Sequence, residues 1–185
     1  MAYDNNKTEE KHLIARTCLE KIVAHYPDYS LAWSYLTWIY GDEVRSGLNP
    51  RYDVETTKRM ALEAGLKAVE ANQMNARAHV YLSTAAHLNG RIDLMKRHTK
   101  LSVELNPYDT DVLASAAWKY GSIGEWELNR KYGEAALKYN PNPPKWYHGA
   151  IFAYYFYKDM HDKALYHAIH NFQAGDVFSH FYLIA

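Results

Sequence analysis

The stretch TDVLASAAWKYGSIGEWELNRKYGEAALKYNP, residues 110–141, decides the fold of this 185-residue chain. It contains two helix-length halves, separated by Gly121-Ser122-Ile123-Gly124, and a proline closes it. The dipeptides Asn72-Gln73, Asn106-Pro107 and Asn140-Pro141 follow one another at equal spacing. This fixed period of about 34 residues indicates a stacked array of helix pairs.

The first complete unit is longer than the others. Tyr26-Pro27 precedes Asn72-Gln73 by one period plus an insertion of about 12 residues, and insertions in such arrays usually lie in loops. Large side chains nevertheless recur at one place in all four units, namely Trp33, His79, Leu113 and Tyr147. Turn-forming residues place the insertion between Gly41 and Asp53, where we expect an exposed loop whose shortening costs little stability.

The repeat pattern predicts the boundaries of the helix pairs. Residues 8–26 are expected to form the second helix of a unit that lacks its first, as if the chain were cut from a longer array. Complete units are predicted at about residues 29–73, 76–107, 110–141 and 144–174, and a further helix at 177–185. No domain boundary is expected within residues 1–185. On the helix before Asn72, Ala61, Gly65 and Ala68 share one face and predict a close approach of the neighbouring helix.

Composition limits the classes of function. The chain carries 21 Lys and Arg against 21 Asp and Glu, so its net charge gives no general attraction to nucleic acid or anionic membranes. The single cysteine, Cys18, cannot form an intrachain disulfide, which favours a reducing, cytoplasmic compartment. The longest apolar stretch, residues 150–157, is too short to span a bilayer, and the polar N-terminus is unlike a signal peptide.

No motif for catalysis or for a cofactor occurs in the sequence. A Gly-rich phosphate loop, Gly-x-Ser-x-Gly and His-Glu-x-x-His are all missing, so we expect no enzyme activity, no catalytic residue and no cofactor. His167 and His170 share one helix face, with His161 and His180 nearby. Two histidines without a cysteine or a placed carboxylate fall short of a zinc site, so no metal is expected.

The unit resembles the tetratricopeptide repeat (TPR), a helix–turn–helix motif of about 34 residues. The four large side chains named above fill position 4 of that motif. Further matches are Thr37, Ser83 and Ala117 at position 8, Gly90 and Gly124 at position 15, and Ala68 and Ala136 at position 27. Asn129 departs from the pattern at position 20, where alanine is usual. The resemblance implies an all-α, right-handed α-solenoid of stacked helix-turn-helix units that binds proteins without catalysis.

A narrower resemblance rests on GLNP, residues 47–50, and NPNPPKWY, residues 140–147. Together they are similar to the TPR region that follows the catalytic domain of bacterial class III adenylyl cyclases, and to that of winged-helix transcription regulators. The resemblance implies an interaction module, between proteins or within one chain, in a larger bacterial signalling or transcription-regulating protein. The alternative is the regulatory segment of an adenylyl cyclase holoenzyme.

The same family resemblance implies where a partner binds, because certain first-helix positions face a concave groove. The expected groove residues are mostly aromatic: Tyr35, Trp38, Tyr81, Thr84, His87, Trp118, Phe152 and Tyr155. Aromatic side chains offer large contact areas to a peptide segment or to an upstream domain of the same protein. The alternative is that Trp38 and Trp118 simply pack on neighbouring helices.

Other partners fit the sequence less well. Some TPR proteins bind the tails of chaperones through a clamp of basic and amide side chains in the groove. The corresponding positions here are Ser34, Trp38, Tyr81, Asp111 and Ser115, none of which would bind a carboxylate as Lys or Arg does. An RNA-binding helical repeat is disfavoured by the zero net charge. The apolar C-terminal residues, Phe178 and 181–184, predict possible self-association.

Overall fold

The computed structural model describes residues 8–171, and every regular element in that range is an α-helix. The nine described helices are α1 (Glu9–His25), α2 (Ser30–Ser46), α3 (Val54–Ala71), α4 (Ala76–Leu88), α5 (Ile92–Leu105), α6 (Thr110–Gly121), α7 (Trp126–Tyr139), α8 (Trp146–Tyr157) and α9 (His161–Asn171). The predicted all-α class is confirmed. None of these helices is long and apolar enough to cross a membrane.

The chain divides into two compact units, Met1–Leu105 and Asn106–Ala185, and the division falls between two predicted helix pairs. In the first unit α2 packs on α1, α3 and α4, while α4 also packs on α3 and α5. In the second unit α8 packs on α6, α7 and α9, and α6 packs on α7. The predicted helix at 177–185, with its possible self-association, lies outside the described residues.

Local sequence explains where the helices begin and turn. The side chains of Thr8 and Asp53 accept hydrogen bonds from the first-turn amides of α1 and α3, which otherwise have no partner. Asn75 and Asp109 cap α4 and α6 in the same way. Gly90 stands in the left-handed region at φ 67°, so the tight turn between α4 and α5 suits glycine.

Small residues allow the close helix contacts that the pattern predicts. Ala61 and Ala68 on α3 are completely buried, and a Cβ added at Gly65 would lie 3.0 Å from Cα of Leu82 on α4. In the second unit, a Cβ at Gly133 would lie 2.9 Å from Cβ of Ile151. Glycine at these two places therefore sets the distance between the second helix of one pair and the first helix of the next.

The insertion is not simply an exposed loop, which corrects the expectation from its turn residues. Its first residues continue α2 to Ser46, and Asp42 and Glu43 within this extension are buried. Gly41 lies inside this helix, and the guanidinium of Arg45 occupies the space where a Cβ at residue 41 would point, 2.9 Å away. Only the shorter segment from Gly47 to Asp53 is non-helical.

This shorter segment is also bound to α1. The Arg16 guanidinium on α1 donates to the backbone carbonyl of Asn49 at 2.6 Å, and the Asn49 amide donates to the carbonyl of Glu9 at 2.5 Å. Arg51 pairs with Glu20, which also accepts a hydrogen bond from the Tyr40 hydroxyl. The insertion therefore fastens α1 to the helix pair that follows it.

Asn129, the departure from the repeat pattern, connects three helices of the second unit. Its side-chain amide is fully buried on α7 and donates to the carbonyls of Ala117 on α6 and Ala150 on α8, at 2.8 Å and 2.7 Å. A Cβ at Gly121 would lie 2.7 Å from Asn129 Nδ2. The larger side chain at position 129 thus fits because residue 121 has none.

We expect Gly121→Ala to destabilise the second unit by about 1–3 kcal/mol, because overpacking displaces the buried Asn129 amide. In an Asn129→Ala background the same Gly121→Ala change should become neutral or stabilising, since alanine favours the helix. Urea denaturation of the four proteins in this cycle measures the coupling. A Gly121→Ala penalty that is unchanged without Asn129 would contradict the packing argument.

Candidate peptide-binding surface

Helices α2 and α4 of the first unit bring three of the predicted aromatic residues together. Tyr35 and Trp38 lie one turn apart on α2, and Tyr81 lies opposite them on α4. The ring centroid of Tyr81 is 6.0 Å from that of Tyr35 and 5.5 Å from that of Trp38. All three side chains are half-buried, so each keeps part of its surface in solvent. We call Tyr35, Trp38 and Tyr81 the aromatic cluster.

Arg45 extends the aromatic cluster with a positive charge. Its guanidinium carbon lies 4.5 Å from the centroid of the Trp38 ring, within the range of a cation–π interaction. It also forms an ion pair at 2.6 Å with Asp42, whose side chain is buried. The missing side chain at Gly41 leaves room for this arrangement. The ion pair with Asp42 and the space left by Gly41 therefore position Arg45 over the indole.

Helices α2 and α4 present no exposed carboxylate on this surface. Helix α4 contains no acidic residue, and it carries Arg77 one turn before Tyr81. The two acids of α2 are buried, with Asp42 paired to Arg45 and Glu43 paired to Arg16. The carboxylates of these two helices are thus withdrawn from solvent, while Arg45 remains partly exposed.

Thr84 and His87, also predicted for the groove, follow Tyr81 on α4 and are half-buried. The Thr84 hydroxyl donates to the carbonyl of Val80 at 3.0 Å. This bond lies within the helix, so the methyl group and the acceptor capacity of the oxygen are what Thr84 offers to a ligand.

The three predicted groove residues of the second unit differ in their exposure to solvent. Trp118 on α6 is 49% exposed, whereas Phe152 and Tyr155 on α8 are each only 6% exposed. The Phe152 ring stacks on Phe156, and the Tyr155 hydroxyl donates to Glu134 at 3.0 Å. Phe152 and Tyr155 belong to the apolar core of this unit. Their surfaces are used within the unit, and the binding surface proposed below does not include them.

Arg45 and Gly41 are the contributors that the sequence pattern missed, because residues 41–53 were interpreted as a loop. A signal was present: Asp42 and Arg45 are three residues apart, which suits an ion pair along a helix. Once α2 is extended by one turn, Arg45 also comes within reach of Trp38, which lies two turns earlier.

The histidines that suggested a metal are spread over different environments. On α9, His167 is buried, whereas His161 and His170 are exposed; His180 lies outside the described residues. Within residues 8–171, no group of three or more His, Cys, Asp or Glu side chains is arranged to hold a metal ion.

Solved structures with the same fold are TPR proteins. A thermophilic TPR protein of Thermus thermophilus, TTC0263, matches with a TM-score of 0.72 and 17% identity, over 95% of this chain and 92% of its own. YrrB, described as a TPR protein with an unusual peptide-binding site, matches with a TM-score of 0.60 and 16% identity, over 95% and 85%. A MamA structure matches with a TM-score of 0.60 and 19% identity, over 91% and 85%.

These matches cover nearly the whole chain, so the predicted TPR-type helical array is confirmed as the fold. No family model matches the sequence, and no curated protein matches it. At these identities the solved structures establish the fold alone, and the function has to be argued from the surface of this chain.

Proposed function

We propose that this protein is a non-catalytic interaction module that binds a peptide segment of a partner protein on α2 and α4. The observation that carries the proposal is the aromatic cluster, in which the half-buried Tyr81 ring lies within 6.0 Å of both half-buried rings of α2. Rigid aromatic side chains provide large contact areas at a low cost in conformational entropy. The TPR fold, including a neighbour described as having a peptide-binding site, supports this kind of partner.

The surrounding charges suggest the chemistry of that segment. Arg45 lies over Trp38, and Arg77 lies one turn from Tyr81, while both carboxylates of α2 are buried. A segment with an aromatic or long aliphatic side chain would pack on the solvent-exposed parts of these rings. An acidic side chain beside it would approach Arg45, which is partly exposed next to Trp38 and belongs to a residue type that holds carboxylates through paired hydrogen bonds.

The proposal extends to the kind of larger protein in which this module acts. The resemblance carried by residues 47–50 and 140–147 supports a regulatory module of a larger bacterial signalling or transcription-regulating protein in the cytoplasm. In that setting the bound segment belongs to another protein or to an upstream domain of the same one. The regulatory segment of an adenylyl cyclase holoenzyme is the alternative setting.

A peptide selection tests the binding surface while the natural partner is still unidentified. A displayed peptide library is selected on the full chain, and the affinity of the best peptide is measured by calorimetry. We expect Trp38→Ala or Tyr81→Ala to reduce the binding free energy of that peptide by about 2 kcal/mol or more, as for hot-spot residues. Trp118→Ala tests separately whether the exposed tryptophan of the second unit contributes.

The matched control is Tyr108→Ala, which removes an aromatic ring that is 73% exposed and lies outside α2 and α4. This variant should bind the selected peptide as the unchanged protein does. Circular dichroism of each variant shows whether its helices remain. Full affinity in a folded Trp38→Ala/Tyr81→Ala variant would rule out the aromatic cluster as the binding surface.

A further inference from the structure

Each unit contains a buried pair of histidines that joins the two helices of one helix pair. In the first unit, Nδ1 of His79 on α4 lies 2.7 Å from Nδ1 of His98 on α5. In the second, Nδ1 of His148 on α8 lies 3.0 Å from Nδ1 of His167 on α9. The four side chains are between 3% and 8% exposed. The two members of each pair are 19 residues apart in sequence.

The contacts of the first pair indicate the tautomer of each ring. The carbonyl of Gln73 lies 2.9 Å from His79 Nε2 and can only accept, so that nitrogen carries the proton. A neutral His79 then has an unprotonated Nδ1, which accepts a hydrogen bond from Nδ1–H of His98. The two ring planes are nearly parallel, at 21°, with centroids 5.0 Å apart, as for rings joined edge to edge by this hydrogen bond. This arrangement needs both rings to be neutral or, at most, to share one extra proton.

The second pair lies in a larger group of rings and cations. His167 stacks on Tyr155 at a centroid distance of 5.1 Å, and His148 has the His170 ring at the same distance. The hydroxyl of Tyr155 is bound to Glu134 of α7. Within this group, the neighbouring histidines and the positive charge of Lys163 on α9 disfavour a proton on His167.

We propose that the two histidine pairs are acid-sensitive latches, which hold α5 on α4 and α9 on α8 while the imidazoles are neutral and release these helices on protonation. The first proton puts a charge into a buried helix contact. A second proton places two N–H groups face to face across the same short contact, which abolishes the hydrogen bond. The latch depends only on packing within each helix pair and does not require the proposed peptide partner.

The surroundings of the pairs support neutral rings at pH 7. Burial, and then the neighbouring His79 and Arg97, lower the pKa of His98 to about 4. Burial, followed by His148, His170 and Lys163, lowers the pKa of His167 to about 4. Burial and then His170 also lower the pKa of His148. None of these named neighbours is a carboxylate that would stabilise an imidazolium.

The direction of the pH effect follows from linkage. An imidazole in the unfolded chain takes up a proton near pH 6.5, whereas His98 and His167 in the folded chain stay neutral to about pH 4. Between these values the unfolded or opened form binds more protons, so acid favours opening. The latches are fully closed above about pH 7. Each group shifts the opening equilibrium by up to about tenfold per pH unit below that.

Nuclear magnetic resonance on the full chain tests the proposal between pH 7.5 and 4.5. We expect the imidazole signals of His98 and His167 to stay neutral well below pH 6. After correction for intrinsic rates, amide protection on α5 and α9 should fall by about tenfold or more between pH 7 and pH 5. Protection on α2 and α3 should change much less.

Two phenylalanine variants separate the latches. His98→Phe keeps a planar ring but cannot be protonated, so it should reduce the acid dependence of α5 and leave that of α9 unchanged. His167→Phe should do the reverse, and each variant thus serves as a control for the other. His25→Gln, which changes an exposed histidine at the end of α1, should alter neither. Ordinary titration of His98 and His167 near pH 6.5 with unchanged protection would overturn the proposal, as would an acid dependence of α5 and α9 that neither substitution reduces.

Discussion

Glu43→Gln is expected to lower the free energy of unfolding by about 3–5 kcal/mol, because it leaves the charge of Arg16 buried without its counter-ion. Arg16 Nη1 lies 2.7 Å from Glu43 Oε1, and the two side chains are only 5% and 3% exposed. The substitution keeps the shape and one acceptor oxygen. The predicted loss therefore comes from the missing negative charge.

The position of this ion pair explains why its effect should be large. Arg16 is on α1, Glu43 is on the extension of α2, and the same guanidinium nitrogen donates to the carbonyl of Asn49 in the insertion. His12 of α1 is completely buried beside them, with Nε2 3.2 Å from the carbonyl of Ile39. Breaking the pair thus loosens α1, α2 and the insertion together.

Urea denaturation followed by circular dichroism measures the loss. Glu127→Gln is the matched control, because it removes one carboxylate from an exposed pair with Arg130 and should cost less than about 1 kcal/mol. The double variant Arg16→Met/Glu43→Leu should recover much of the stability, since it leaves no buried charge. A loss for Glu43→Gln no larger than that of the control would show that the pair is unimportant to α1.

The repeat period explains why so much of the fold was predictable. One marker dipeptide in each repeat predicts the turns, and the described helices begin and end within a few residues of those turns. Capping side chains and glycine turns add independent local signals. The role of Gly65 in helix packing could be predicted, because it depends only on the neighbouring helix, whose position the period also predicts.

The exposure of the aromatic side chains was harder to predict, because a position in the repeat does not distinguish a surface residue from a core residue. Trp118 and Phe152 occupy the same repeat position, yet one is 49% exposed and the other 6%. The difference depends on which side chains from other helices cover each ring. Gly41 shows the same limit: its preference for turns predicted a loop, whereas the structure places it inside α2 with Arg45 beside it.

The histidine pairs could not be predicted from the repeat pattern. His79 stands at a position where the repeat requires a large buried residue, so it is part of the core by position. Its partner His98 lies on the second helix, and the interval of 19 residues is typical of neither a helix face nor a metal motif. Only the packed pair reveals that the two rings satisfy each other.

Tyr147→Ala should destabilise the second unit by about 3–5 kcal/mol, the usual loss when a buried aromatic ring is removed. Tyr147 occupies the position-4 place of its unit and is 1% exposed at the start of α8. Its hydroxyl donates to Oδ1 of Asp111 on α6 at 2.7 Å and lies 3.0 Å from Oγ1 of Thr110. The side chain therefore joins α8 to the first turn of α6 by both packing and hydrogen bonding.

Tyr147→Phe separates these two contributions. Burial raises the pKa of Tyr147, so its hydroxyl stays protonated and donates at any ordinary pH. Asp111 is exposed and can be solvated when the phenol is lost, so we expect Tyr147→Phe to cost only about 1 kcal/mol. Tyr108→Ala, at a residue 73% exposed in the same unit, controls for the loss of an aromatic ring and should change the unfolding midpoint little. Equal losses for Tyr147→Phe and Tyr147→Ala in urea denaturation would mean that the hydrogen bond, rather than the buried ring, fixes α8 to α6.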